Sequence, residues 1–262
     1  MEIDMRGFYA LTTAALLLLF NAGSADAQRV SIHEATLMEA GAKTEEVSTE
    51  QLRRILVEGS AIILDTRPRS EFEAGHIPGA HVIDSAPDQQ ITAVERLVNS
   101  NKAAALVLYC NGPYCQASRR LGEQLVAAGF SNVRRYQLGM PVWRALGGPT
   151  VIELTGIIRI FKTDQTAVFI DARPAEDFAR ASLPGARNLT TEALDGTLKQ
   201  MRAGKLTHPP LPLDDFNRRI VLFGRDATQA LGLAKAMSQR PWHNVAYFPG
   251  SYTDLAVALQ QK

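Results

Sequence analysis

Short apolar runs alternate with stretches of helical periodicity along most of the chain. Ala61-Ile62-Ile63-Leu64 is a continuous apolar run, too short for a helix, and it stops at Asp65-Thr66-Arg67-Pro68. Upstream, Ser48 or Thr49 is placed to cap a helix over Gln51–Glu58. Val107-Leu108-Tyr109, behind Ala103-Ala104-Ala105-Leu106, predicts a second buried strand that ends in Cys110. Gly112-Pro113 then turns the chain, and Leu121, Leu125, Val126 and Ala128 recur at helical spacing from Ser118 to Ala128. Strand, turn and helix direct backbone N–H groups and a helix N-terminus at one place. A thiol held there is partly ionised at neutral pH. Taken alone, the segment serves equally well as a buried structural cysteine that packs as a small hydrophobe.

The same pattern returns 106 residues later. Asp65-Thr66-Arg67-Pro68 matches Asp171-Ala172-Arg173-Pro174, Glu71-Phe72 matches Asp177-Phe178, and Ile77-Pro78-Gly79-Ala80 matches Leu183-Pro184-Gly185-Ala186. Upstream, Ile62-Ile63-Leu64 matches Val168-Phe169-Ile170, and the helix at 51–58 matches 157–164. Val107-Leu108-Tyr109-Cys110 then meets Val221-Leu222-Phe223-Gly224 at an offset of 114, and Asn132-Val133 meets Asn244-Val245 at 112. The offsets imply an insertion before the second loop strand and a shorter loop after it. A period this long marks two tandem domains rather than a solenoid. Strands alternating with helices make each an α/β domain with a mainly parallel sheet. Gly147-Gly148-Pro149 places the boundary, giving domains over 28–149 and 150–262. The proline-rich stretch Gly204–Asp215 is expected to be a surface loop of the second.

Composition adds limits. The chain has 262 residues, 46% apolar and 21% charged, with a net charge of +1. That is room for one or two domains, and a near-neutral balance argues against a nucleic-acid or polybasic membrane partner. Residues 1–27 read as a secretory signal peptide, with an apolar core over Ala10–Ala22 and a small-x-small site at Ala25-Asp26-Ala27, so that Gln28 would begin the mature chain. Glu2 and Asp4 weaken its basic end, and a start at Met5 repairs it. Cleavage would leave a net charge of +3, no membrane span and a periplasmic or secreted protein. The only cysteines are Cys110 and Cys115. A disulfide between them closes too small a loop to restrain the unfolded chain much, so a functional or redox pair is the better reading than a staple. His33, His76, His81, His208 and His243 are scattered, and no metal-ligand set or cofactor motif is present.

Asp65-Thr66-Arg67-Pro68, Glu71-Phe72 and Gly75-His76-Ile77-Pro78-Gly79-Ala80 together resemble the first signature of rhodanese-type domains. Tyr109-Cys110 with its turn and helix resembles their active-site loop, and Ala128–Val133 with Gly139-Met140-Pro141-Val142-Trp143 resembles their closing segment. The likeness spans nearly all of 45–150 and, more loosely, 150–262. It implies a three-layer α/β fold and a nucleophile at Cys110. It also implies a sulfurtransferase that takes a sulfane sulfur from a donor such as thiosulfate, holds it as a persulfide, and passes it to cyanide or a thiol, including a periplasmic thiol protein. The backbone of Asn111, Gly112, Tyr114, Cys115 and Gln116 would surround the sulfur, and Gly112 lets the chain fold closely over it. Pro113 has no N–H to give. Tyr114 is expected to wall the pocket or contact the donor.

Three departures from the family pattern stand out. Cys115 occupies the position of the loop's usual arginine, so it is either a resolving thiol or a packing group. The loop or helix runs about two residues long by comparison with the common form, and Arg119 and Arg120 belong to a solvated helix face. The second copy has Gly224 in place of Cys110, with Ala181 and Ser182 in place of Gly75 and His76, which excludes persulfide chemistry there. Asp65 and Arg67 are expected to pair as scaffold, and His76 to hydrogen-bond backbone. Trp143 is expected to pack on the core or the boundary. Two rival classes remain: a thiol–disulfide protein using both cysteines, and a binding module without chemistry. A phosphatase-like reading is weaker still, because no matching arginine follows Cys110.

Overall fold

The computed structural model describes residues 41–260, so the expected signal peptide lies outside the described residues. The first half builds a five-stranded parallel sheet from β1 (Glu45–Glu46), β2 (Ile62–Asp65), β3 (His81–Val82), β4 (Leu106–Tyr109) and β5 (Val133–Tyr136), in the order β1-β5-β4-β2-β3. Its helices are α1 (Thr49–Glu58), α2 (Arg69–Ala74), α3 (Gln90–Leu97), α4 (Gln116–Ala127) and α5 (Gly139–Ala145). The second half builds β6 (Val168–Asp171), β7 (Arg187–Asn188), β8 (Ile220–Gly224) and β9 (Val245–Ser251) into a parallel sheet ordered β7-β6-β8-β9. Around it lie α6 (Leu154–Thr163), α7 (Ala175–Arg180), α8 (Leu194–Arg202), α9 (Ala227–Met237) and α10 (Tyr252–Gln260). The chain is thus mixed α/β, with two parallel sheets flanked by helices.

The three layers follow from alternation along strands buried on both faces. Val107 and Tyr109 of β4 enter one core with Leu52, Phe72, Tyr136 and Trp143, whereas Leu106 and Leu108 enter the other with Leu121, Leu125 and Phe130. In the second half, Val221 and Phe223 of β8 face one core and Ile220 and Leu222 the other. The α1 helix begins at Thr49, two residues before the expected start. Ser48 accepts from the Gln51 N–H while the Gln51 side chain accepts from the Ser48 N–H, a reciprocal cap that fixes the first turn.

The linker ties the halves together. Val151 exchanges two backbone hydrogen bonds with His76, each 2.9 Å, and lies parallel to Tyr247 at the edge of the second sheet. It takes beside β9 the place that β1 takes beside β5. The α6 helix then packs backbone to backbone on α2. A Cβ on Gly156 would sit 2.0 Å from the Glu73 carbonyl oxygen, so only glycine allows this approach. Arg159 closes the seam, donating to the Glu73 carboxylate at 2.9 Å and to the Ser70 carbonyl at 2.6 Å.

Two local expectations are corrected and a third is sharpened. Val126 is exposed, because α4 turns Leu121 and Leu125 to the core and carries Val126 past its edge. The β4 strand ends at Tyr109, with Cys110 just beyond it. The 204–215 loop runs over the surface as expected, but its middle is anchored: Leu211 is fully buried and the Pro212 carbonyl accepts from the Trp242 indole at 2.8 Å. Among the described residues, no helix is long and apolar enough to cross a membrane.

Candidate functional site

The site is assembled at the C-terminal end of β4, where a parallel sheet opens toward its loops. Cys110 follows the strand and is only 4% exposed. Its carbonyl accepts from the Met140 N–H at 3.1 Å, which pins the loop to the start of α5. That contact requires Gly139, since a Cβ there would lie 2.4 Å from both the Cys110 oxygen and the Gly112 nitrogen. Gly112 adopts φ 106°, and the Cys115 N–H bonds back to the Gly112 carbonyl at 3.0 Å. The resulting turn, with Pro113 at its second position, returns Cys115 over Cys110. The two are joined as a disulfide with their Cα atoms 6.1 Å apart.

Cys115 is also the N-cap of α4, and no side chain caps that helix. Its first N–H groups and partial positive charge are therefore directed into the loop. Gln116 is the first residue of α4 and is exposed. Asn111 is exposed as well, and its side-chain amide donates to Glu71 at 2.5 Å, tying the loop to α2. Tyr114 does not wall a pocket. It is 97% exposed, because the turn directs its ring away from the sheet. Arg119 pairs with Glu123 along α4 at 3.1 Å.

Beneath the loop lies a fully buried clasp. Asp65 accepts from the Arg67 guanidinium at 2.5 Å and from the Tyr109 hydroxyl at 2.5 Å, and Arg67 also reaches the Gly75 carbonyl at 2.8 Å. Burial opposes the Arg67 charge, yet the hydrogen bond and charge of Asp65 raise its pKa above the usual arginine value. Burial, reinforced by the Asp65 charge, holds the Tyr109 hydroxyl well above the ordinary tyrosine pKa, so it stays a donor. His76 is stacked on Phe72 at 3.7 Å between ring centroids, and its Nδ1 is 2.9 Å from the Phe72 carbonyl. Burial pushes its pKa below the ordinary histidine value. Asp65 and Arg67 are thus joined to Tyr109, the residue before Cys110, while His76 is held against Phe72.

The reading of the sequence missed Glu71 and Arg144 as parts of this surround. Glu71 receives Asn111 and lies 3.9 Å from Arg67, one helical turn after it, so the i,i+4 spacing was the available signal. Arg144 is contributed by the helix after β5 and lies against Gly75, where a Cβ would be 2.7 Å from its Nη2. Burial, then the nearby Arg67 charge, lowers its pKa to about 10. Nothing in its local sequence marks that approach. Among the described residues, no group of three or more His, Cys, Asp or Glu is placed to hold a metal ion.

The rhodanese-like domain profile matches residues 48–146 and 158–258. An HTH-type transcriptional regulator, Rv0324, of Mycobacterium tuberculosis is 32% identical over 109 residues, covering 42% of this chain and 46% of the regulator. The chain thus spans less than half of that relative's length. The thiosulfate sulfurtransferase GlpE of Pseudomonas entomophila is 29% identical over 99 residues, which are 38% of this chain and 84% of that enzyme. The crystal structure of a thiosulfate sulfurtransferase from Pseudomonas aeruginosa aligns with a TM-score of 0.34 and 22% identity, over 84% of this chain and 46% of that one. With the profile matched in both halves, each on its own parallel sheet, the chain belongs to the rhodanese-like family and carries two tandem copies of its domain.

Proposed function

We propose that the chain is a sulfurtransferase that works through Cys110. The observation that carries this reading is the position of Cys110. It is a nearly buried sulfur at the end of a central parallel strand, faced by an uncapped helix N-terminus, in a chain of this family. The thiosulfate sulfurtransferases among its relatives support the reaction class. With the disulfide reduced, the Cys110 thiolate attacks the outer sulfur of a donor such as thiosulfate. The donor's sulfur–sulfur bond breaks, sulfite leaves with the electron pair, and Cys110 keeps the sulfane sulfur as a persulfide. Cyanide or a thiol then attacks that outer sulfur and regenerates the thiolate, which gives ping-pong kinetics. No cofactor is needed, because the loop N–H groups and the helix end carry the anionic charge.

The second domain, by this reading, supports the first through the Val151 and Arg159 contacts and has no chemistry of its own. An exported site of action rests on the sequence of residues 1–27 alone. The test is thiocyanate formation from thiosulfate and cyanide by the reduced protein. Activity lost in Cys110→Ser and kept in Cys115→Ser supports the reading. Loss in Cys115→Ser would favour a thiol–disulfide protein, and a function untouched by Cys110→Ser would favour a binding module.

A further inference from the structure

The second cysteine has no part in a plain sulfurtransferase, yet the loop brings it within bonding reach of the first. Three features of the sequence do this. Gly112 supplies the left-handed backbone, Pro113 occupies the turn, and the Cys115 N–H closes it on the Gly112 carbonyl. Cys115 is the N-cap of α4 without any side-chain cap, so its sulfur lies where a helix N-terminus favours the thiolate. Cys110 is almost buried, whereas Cys115 is partly exposed. A thiolate on Cys115 is therefore the nearest nucleophile to any sulfur carried by Cys110, and it needs no diffusion to reach it.

We infer that Cys115 is a resolving thiol, which makes the site a releaser of hydrosulfide whose acceptor class is a dithiol. The inference rests on the sulfurtransferase reading above. The Cys115 thiolate attacks the inner sulfur of the Cys110 persulfide. A bond forms between the two Sγ atoms, the bond from Cys110 to the outer sulfur breaks, and that sulfur departs with its electron pair as hydrosulfide. The two cysteines are oxidised by two electrons and the sulfane sulfur is reduced by two. The product is the disulfide that the structure holds. An external dithiol restores the pair: one thiolate attacks the sulfur of Cys115, the more exposed residue, and Cys110 leaves as thiolate; the second thiolate then attacks its partner's sulfur in that mixed disulfide, closes the dithiol's own disulfide and expels Cys115 as thiolate.

This predicts single-turnover behaviour without a reductant and continuous hydrosulfide release with one. The experiment uses the full chain, reduced, freed of reductant and kept anaerobic, mixed with excess thiosulfate or, as a second donor, benzenethiosulfonate. Leaving group, hydrosulfide and intact mass are measured. Wild type should release about one equivalent each of sulfite (or benzenesulfinate) and hydrosulfide, and end 2 Da lighter than the reduced chain. Cys115→Ser should release the same leaving group but no hydrosulfide, and should end about 32 Da heavier at Cys110. Wild type that keeps the added sulfur on Cys110, with Cys115 still open to alkylation, would overturn the resolving role and leave the sulfurtransferase reading standing. No leaving group from either protein with either donor would overturn both.

Discussion

The two copies share their scaffold closely and differ where the chemistry would be. Both end a buried strand in an aspartate that clasps the arginine two residues on. Asp65 accepts from Arg67 at 2.5 Å, and Asp171 accepts from Arg173 at 2.6 Å. In both, that arginine also reaches a backbone carbonyl eight residues further along, Gly75 in one and Ala181 in the other. The second side-chain donor to the aspartate has moved. In the first copy it is the Tyr109 hydroxyl, from the strand that leads to the cysteine. In the second that position is Phe223, and Ser182, at the place of His76, donates instead at 2.7 Å. The buried charge is satisfied either way, so the clasp belongs to the fold and not to the reaction.

The loops diverge further. Five positions separate Cys110 from the N-cap Cys115, and that helix end is left without a side-chain cap. In the second copy, Gly224 lies two positions before the N-cap Asp226, whose carboxylate takes the Gln229 N–H at 3.0 Å. Gln229 in turn accepts from the Arg225 N–H at 2.8 Å. The second loop has thus lost its thiol and has also filled the helix end with its own carboxylate. A helix terminus that binds an external anion must be left open, and only the first copy leaves it so.

The largest expected effect breaks the comparison at its centre. Cys110→Ser should reduce sulfur transfer to background in a thiocyanate assay. Gly224→Cys should create no second labile sulfur, because the new Cβ would lie 2.9 Å from the Gln229 Oε1 beside an occupied helix end. Next in size is the clasp. Asp65→Ala strands Arg67 in the core and should cost about 3–5 kcal/mol of stability, and Asp171→Ala a similar amount, both read from denaturant unfolding. A smaller effect sharpens the exchange of donors. Tyr109→Phe and Ser182→Ala each remove one hydrogen bond to a buried carboxylate and should each cost about 1.5–3 kcal/mol in the same experiment.

The smallest effect is a difference in pH response at matching positions. Burial lowers the His76 pKa in the folded state, so below the unfolded histidine value, near 6.5, the unfolded chain binds the extra proton. Stability should be complete above that value and fall as the pH drops from it toward the folded pKa. His76→Gln should flatten that part of a stability–pH curve, whereas Ser182→Ala, at the matching position, should leave its shape unchanged.

These comparisons also show what a sequence carries and what it leaves to folding. The strand runs, the repeat and the Asp-x-Arg pairs announced themselves, because each is set by local alternation or by burial of a short motif. Cys110 did not stand out from its own segment, which serves equally well as a packed cysteine; it stood out against the second copy, where Gly224 takes the matching position. The orientation of Tyr114 did not follow from its position next to the cysteine, since Gly112 and Pro113 set the turn that carries the ring outward. The anchoring of Leu211 depends on Trp242, thirty residues beyond the Pro212 carbonyl to which that indole donates. Asn111 reaches Glu71, and Arg144 reaches Gly75, only because α2, the loop and α5 converge from three separate parts of the chain.

The central claim is that one sulfur-carrying site exists, in the first copy, at Cys110. Its most direct test is the amount of cyanide-labile sulfur per chain in the reduced Cys115→Ser protein after treatment with thiosulfate or benzenethiosulfonate and removal of the donor. The account predicts about one per chain, located at Cys110 by peptide mass and absent when Cys110 is also replaced. No labile sulfur with either donor, or labile sulfur that persists without Cys110, would contradict it.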